Sequence, residues 1–196
     1  MTSILNVAGG KMRPIDLAGP YFLVNVDKMY YRNADPDLIE QEYVLWRRLG
    51  SKSFNVRLDV FEFMERTALW FDKVCVYRYL EHVSMDKVLY FIYLLSTVTK
   101  KGATIDVIVP NYELLAKMIL DEKVDVARKS INFESSNIIL TTELLNEPSC
   151  PHASIWTTWR AHHFFQLEKR FIVREYSPRY EFDGRNIYLR FIAERL

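Results

Sequence analysis

Two aspartates stand directly after short apolar runs: Asp27 follows Phe22–Val26 (FLVNV), and Asp59 follows Phe54–Leu58 (FNVRL). A carboxylate at the end of a buried strand can accept hydrogen bonds from the two hydroxyls of a ribose, or from an exocyclic amine. Upstream, Ile4–Val7 runs into Ala8, Gly9 and Gly10, which holds two of the six glycines of the chain. A turn almost without side chains either closes tightly or lets a ligand come close to the backbone. A fourth apolar run, Phe71–Tyr77, ends at Arg78. Imidazole exchanges protons near neutral pH, so His82 in Leu80-Glu81-His82 and His152 in Cys150-Pro151-His152 are candidate general bases. Each feature has a plain reading as well: a turn, a helix cap, a packed histidine.

The elements that position these residues are legible from periodicity. Ile4–Val7, Phe22–Val26, Phe54–Leu58, Phe71–Tyr77 and Thr104–Val109 read as five strands of near-continuous apolar character, the pattern of a sheet buried on both faces. Between them, Asp35-Pro36 opens a helix that Gly50 closes. Ser84 caps a second helix, with Val88, Phe91, Ile92 and Leu95 on one face and Lys100, Lys101 and Gly102 at its end. Glu113–Leu120 and Trp156–Leu167 read as helical, with a short helix near Thr142–Leu145. Phe171–Tyr176 and Ile187–Ala193 are two strands joined through Asp183-Gly184, and so short a connection makes them antiparallel. Only about a dozen residues separate the first two strands, the minimum for a parallel crossover. The expectation is an α/β, Rossmann-like domain over residues 1–196: a mostly parallel sheet with an antiparallel C-terminal strand and helices on both faces.

Composition narrows the function. Lys+Arg number 26 and Asp+Glu 25, which gives no basic field for a strong nucleic-acid grip. The longest apolar run, Val88 to Leu95, is far short of the roughly 20 residues of a membrane span. Two cysteines make no disulfide framework and suit a reducing, cytoplasmic setting. No spacing of Cys and His completes a metal site.

The segments ILNVAGG, FLVNVD, VRLDVFEF and FDKVCVYRYLEHVSMDKVLYFIYLLSTVTKKGATIDVIVPNYELL follow one another in an order that resembles the class I S-adenosylmethionine-dependent methyltransferases. The likeness is to small bacterial and phage members with a shortened first crossover and an LEH segment. It implies S-adenosylmethionine as cofactor. Asn6, Ala8, Gly9 and Gly10 would approach its methionine part, and Asp27 would hold the ribose hydroxyls. Asp59 and Val60 would face the adenine, and Tyr77 and Arg78 would lie beside the transferring methyl. His152 and His82 are then the candidate catalytic groups. The chain departs from the family's pattern at Asn6, where an acidic residue is usual, and in a thinned glycine turn. Related metal-dependent RNA-end enzymes carry Glu-x-x-Glu-His at this point, and Arg78 stands here at the first ligand position, so no metal is expected. The reading is methyl transfer to an unidentified O, N or C acceptor, which is the partner it requires. Its rival is a catalytically degenerate methyltransferase-like fold acting as a structural or interaction module, with a protein partner or a second copy of the chain.

Overall fold

The computed structural model describes residues 1–7, 19–28, 36–120, 153–182 and 185–196. Seven strands form one sheet: β1 (Thr2–Val7), β2 (Tyr21–Val26), β3 (Ser53–Val56), β4 (Phe71–Tyr77), β5 (Thr99–Pro110), β6 (Phe171–Phe182) and β7 (Arg185–Arg195). Their order is β3-β2-β1-β4-β5-β7-β6. The first five are mutually parallel, and β7 runs antiparallel to both neighbours. Five α-helices accompany them: α1 (Ile39–Arg48), α2 (Val60–Arg66), α3 (Met85–Val98), α4 (Tyr112–Leu120) and α5 (Thr158–Leu167).

The strands' alternation sorts their side chains onto two faces. Leu5, Val7, Val24, Val26, Val74, Val76, Val107 and Phe191 share one buried cluster with Ile39 and Tyr43 of α1, Phe63 of α2, Phe91 and Leu95 of α3 and Phe165 of α5. The opposite face carries a smaller cluster of Ile4, Leu23, Cys75, Tyr77, Ile108 and Tyr188, against which Tyr112 at the start of α4 packs. Helices therefore meet both faces. Among the described residues no helix is long and apolar enough to cross a membrane.

Three local expectations change. Residues 60–66, unassigned from periodicity, form α2; Asp59 caps it by accepting from Phe61 N and Glu62 N at 2.8 and 3.3 Å. Lys100, Lys101 and Gly102 do not end a helix. The helix stops at Val98, and these residues begin β5, where Lys100 Nζ meets Asp72 Oδ1 at 2.6 Å. Gly102 takes φ +73°, which a side-chain-bearing residue would resist, beside a register shift against β4. Ser84 occupies the cap position of α3 but makes no side-chain capping bond. The Asp183-Gly184 turn and the Thr142–Leu145 helix lie outside the described residues.

The second face also carries polar side chains aligned across the sheet. Asn6, Asn25 and Asn55 are paired in register on β1, β2 and β3. Asn6 Nδ2 donates to Asn25 Oδ1 at 2.9 Å, and Asn25 Nδ2 to Asn55 Oδ1 at 2.8 Å. The same row continues through Cys75 to Asp106. Asp106 is fully buried and accepts from Arg190 Nε and Nη2 at 2.9 and 2.8 Å and from Tyr77 Oη at 2.9 Å, with Lys73 Nζ at 3.3 Å. Burial opposes its ionisation, but the Arg190 hydrogen bonds and charge, then Lys73 and Tyr77, hold the carboxyl below the usual range.

Asp106→Asn should therefore cost about 3–5 kcal/mol, since it leaves the Arg190 and Lys73 charges uncompensated at a buried site. Urea denaturation at pH 7 measures it. The folded pKa lies below the unfolded value of 3.8, so this stabilisation is complete above that pH and is lost as the pH falls through the folded pKa. The variant should lose less stability than the wild-type chain over that acid range.

Candidate active site

In this strand order the chain leaves β1 in one direction, towards β2 and β3, and returns beyond it to β4 and β5. The crevice at the carboxyl ends of β1 and β4 is the switch point of an open α/β sheet, where ligands bind. Several of the singled-out residues fall on that edge. Asn6 is the penultimate residue of β1, wholly buried, with its amide engaged by Asn25. Asp27 follows β2, largely buried, and its N–H donates to Val56 O at 3.0 Å. Asp59 lies beyond β3. The ends of β2 and β3 are stitched together: Arg57 Nε donates to Lys28 O at 3.1 Å, and Lys28 Nζ pairs with Asp59 Oδ2 at 2.6 Å. Burial works against ionisation of Asp59, yet the bond from Lys28 and those from the α2 backbone hold its carboxyl below the ordinary value. Val60, buried at the first position of α2, is part of the same corner.

At β4 the side chain of Tyr77 turns to the second face, where its hydroxyl serves Asp106. Arg78 leaves the strand with φ +54°, a left-handed conformation costing a residue with Cβ roughly 1–2 kcal/mol, and its N–H donates to Ile108 O at 2.8 Å. Tyr79 then lies near both aspartates. Burial and the charges of Asp59 and Asp27 push its phenol above the usual range. Leu80–His82 forms a 3-10 turn in which His82 N donates to Tyr79 O at 2.9 Å. Ala8, Gly9, Gly10 and His152 lie outside the described residues, as does Cys150. Cys75 is buried on the second face, where burial pushes its thiol up to about 12 and removes it as a nucleophile.

Two further contributors complete this corner, the segment from Ser154 to Trp156 and the residue Glu81. Ser154 and Trp156 cross to the end of β4 and lock onto the 3-10 turn. Ser154 N donates to Glu81 O at 2.9 Å, Ser154 Oγ to Leu80 O at 2.9 Å, and Trp156 Nε1 to Ser154 Oγ and Leu80 O at 2.8 and 3.2 Å. The bond from Trp156 to Leu80 spans 76 residues, and nothing local in the sequence signals it. The second is Glu81. It is 1% exposed, neither carboxylate oxygen has a hydrogen-bond partner among the described residues, and burial raises its pKa to about 8. The sequence signal for it was only its place in the LEH segment.

Two substitutions should separate scaffold from surface. Trp156→Ala, which empties a fully buried indole site, should cost about 3–5 kcal/mol in chemical denaturation. Asp59→Ala removes only a helix cap and a half-exposed ion pair and should cost about 1 kcal/mol.

No protein-family model matches the sequence, and no curated protein matches it. Solved structures do match. A 1,6-didemethyltoxoflavin-N1-methyltransferase from Burkholderia thailandensis, bound to 1,6-didemethyltoxoflavin and S-adenosylhomocysteine, superposes with a TM-score of 0.60 at 14% identity, over 99% of this chain and 71% of its own. A SAM-dependent methyltransferase from Methanosarcina mazei gives 0.57 at 16% identity, over 100% of this chain and 92% of its own. An O-methyltransferase family protein from Burkholderia thailandensis gives 0.54 at 11%, over 99% of this chain, which spans only 51% of it. Identities this low carry the fold alone, and together with the strand order they give the chain the Rossmann-like fold of the class I S-adenosylmethionine-dependent methyltransferases.

Proposed function

We propose that the chain is a methyltransferase domain that moves the methyl group of S-adenosylmethionine to an O, N or C nucleophile. The observation that carries this is the meeting of Asp27 and Asp59 at neighbouring strand ends beside the β1–β4 crevice, on a fold that binds S-adenosylhomocysteine in the Burkholderia N1-methyltransferase. The donor set suits the cofactor. Asp27 supplies a carboxylate for the ribose hydroxyls. Asp59 offers the oxygen it now shares with Lys28, whose side chain is 71% exposed and free to swing into solvent. The Val60 backbone lies next to it for the adenine ring. Asn6, with Ala8, Gly9 and Gly10, is assigned to the methionine part.

The bound cofactor supplies an electrophilic methyl on a sulfonium. The chain's own task is alignment and exclusion of water. Arg78, held by the Ile108 carbonyl, borders the methyl position. The Ser154–Trp156 segment, fixed on the 3-10 turn by Leu80 and Glu81, is assigned to the cover of the crevice. His152 and His82 are the histidines assigned to the acceptor's proton. The second reading, a fold kept for structure or protein contact, is favoured by the engagement of two assigned groups within the chain. Asp59 already has both oxygens engaged within the chain, and Asn6 spends its amide on Asn25.

S-adenosylhomocysteine at 100 times its dissociation constant should raise stability by about 2.7 kcal/mol, seen as a higher melting temperature, with matching heat in calorimetry. No shift and no heat would select the structural reading. Asp27→Ala should weaken that binding on the order of tenfold, because a charge-assisted hydrogen bond contributes roughly 1.5–3 kcal/mol, with the melting temperature of the free chain little changed. Equal affinity in the variant would move the ribose elsewhere.

A further inference from the structure

We propose that Glu81 is the residue that receives the methyl acceptor, its carboxyl contacting an N–H or O–H nucleophile and taking that proton during transfer. The inference rests on the methyltransferase reading above and narrows its acceptor to a heteroatom that carries a proton. The argument starts from cost. A buried polar group without a partner is unfavourable, and a carboxyl more so than a hydroxyl. Glu81 is 1% exposed, and among the described residues neither of its oxygens has a hydrogen-bond partner. Polar groups close by in the chain are committed to other acceptors. Tyr77 Oη donates to Asp106, and Ser154 Oγ and Trp156 Nε1 both donate to Leu80 O.

The position is nevertheless held firmly. Glu81 O accepts from Ser154 N, and the adjacent Leu80 carbonyl accepts from two side chains, so the turn carrying the carboxyl is fixed by long-range bonds on both residues. A carboxyl carried on a fixed turn, yet left without a partner among the described residues, is arranged for a partner from outside the chain. Its place is four residues past the end of β4, on the edge of the crevice where the switch point puts a ligand.

The surroundings set the chemistry. Burial raises the Glu81 carboxyl to about 8; its own backbone N–H and the Arg78 charge pull against the rise without closing a hydrogen bond on either oxygen. From α4, the Tyr112 phenol is the titratable group that faces it, and burial, then the Glu81 charge, push that phenol above its usual range. Glu81 thus stands near neutrality as a base, basic enough to take a proton and weak enough to release it to solvent afterwards. The step balances without a further reactant. The acceptor's lone pair forms a bond to the methyl carbon as the carbon–sulfur bond breaks, its electron pair returning to sulfur. The N–H or O–H proton passes to a Glu81 oxygen. The products are the methylated acceptor, a neutral thioether and a protonated Glu81.

The test is Glu81→Gln, which keeps the shape and removes the titration. Unfolded, the carboxyl ionises at its ordinary 4.5; folded, it keeps its proton to about 8, so the native state of the wild-type chain loses stability as the pH rises through that window. The variant should melt within a degree or so of wild type at pH 4.5 and above it at pH 8. A variant that melts below wild type at both values has lost a structural partner and overturns the proposal. Calorimetry should then give S-adenosylmethionine affinities for the two chains within about twofold. With phenol and benzylamine as minimal O–H and N–H probes, methyl transfer at about pH 8.5, where the carboxyl is ionised and can accept a proton, should fall by roughly 100-fold in the variant. A wild-type chain that binds S-adenosylmethionine but methylates neither probe, or a variant that methylates as fast as wild type, overturns the assignment of Glu81. A wild-type chain that binds no S-adenosylmethionine overturns the methyltransferase reading itself.

Discussion

The register of the central strands is the constraint from which the site follows, and polar side chains on one face pin it. Asn55, Asn25 and Asn6 join β3, β2 and β1 by amide bonds, and the same row reaches Cys75 and Asp106 on β4 and β5. Slipping any of these strands by one residue would turn its amide to the apolar face and a valine to the polar one. The strand ends are thereby brought level. Asp27 stands two residues past Asn25, Asp59 four past Asn55 and Arg78 three past Cys75, so three separate loops meet at one edge.

The two faces divide the work. The helix-covered face supplies the bulk of the apolar burial, with Val, Leu and Phe side chains from all the central strands in one cluster. Burial of this kind is strong and non-directional, and it tolerates rearrangement. The opposite face adds less energy and more definition. A neutral amide–amide bond contributes about 1 kcal/mol net, but an unmatched amide in the same place would cost more than that. The Asp106 site follows the same logic with charge. Arg190 ties β7 to β5, Lys73 ties β4 to β5, and the antiparallel strand is thereby fixed at the position that gives this fold its strand order.

The sequence carried much of this openly. Phe71–Tyr77 was bounded to the residue, and the antiparallel ending followed from the brevity of the last connection. The dipeptide Asn-Val recurs at 6–7, 25–26 and 55–56, near the end of each of the first three strands, and marks the amide ladder in retrospect. Its meaning needed the register, because nothing local says that three asparagines lie side by side. Helix α2 was missed since seven residues give too few turns for a period, and Asp59 looked as much like a ligand contact as the cap it is. Lys100-Lys101-Gly102 has the chemistry of a helix end, yet Asp72 across the sheet claims Lys100 for a strand. Burial was the hardest to see: Ser154 and Trp156 reach Leu80 across more than seventy residues.

The two most deeply buried carboxyls among the described residues make the final contrast. Asp106 and Glu81 are both almost without solvent contact. Asp106 is met by Arg190, Tyr77 and Lys73, stays ionised below the usual range, and locks the sheet. Glu81 has no hydrogen-bond partner on either oxygen among the described residues, is raised to about 8, and stands past the carboxyl end of β4. Pairs of acids driven apart by their surroundings are how one fold assigns different tasks to the same functional group. The satisfied acid belongs to stability. The unsatisfied one is carried at a cost in stability, and that cost is understandable only where the missing partner arrives with a ligand.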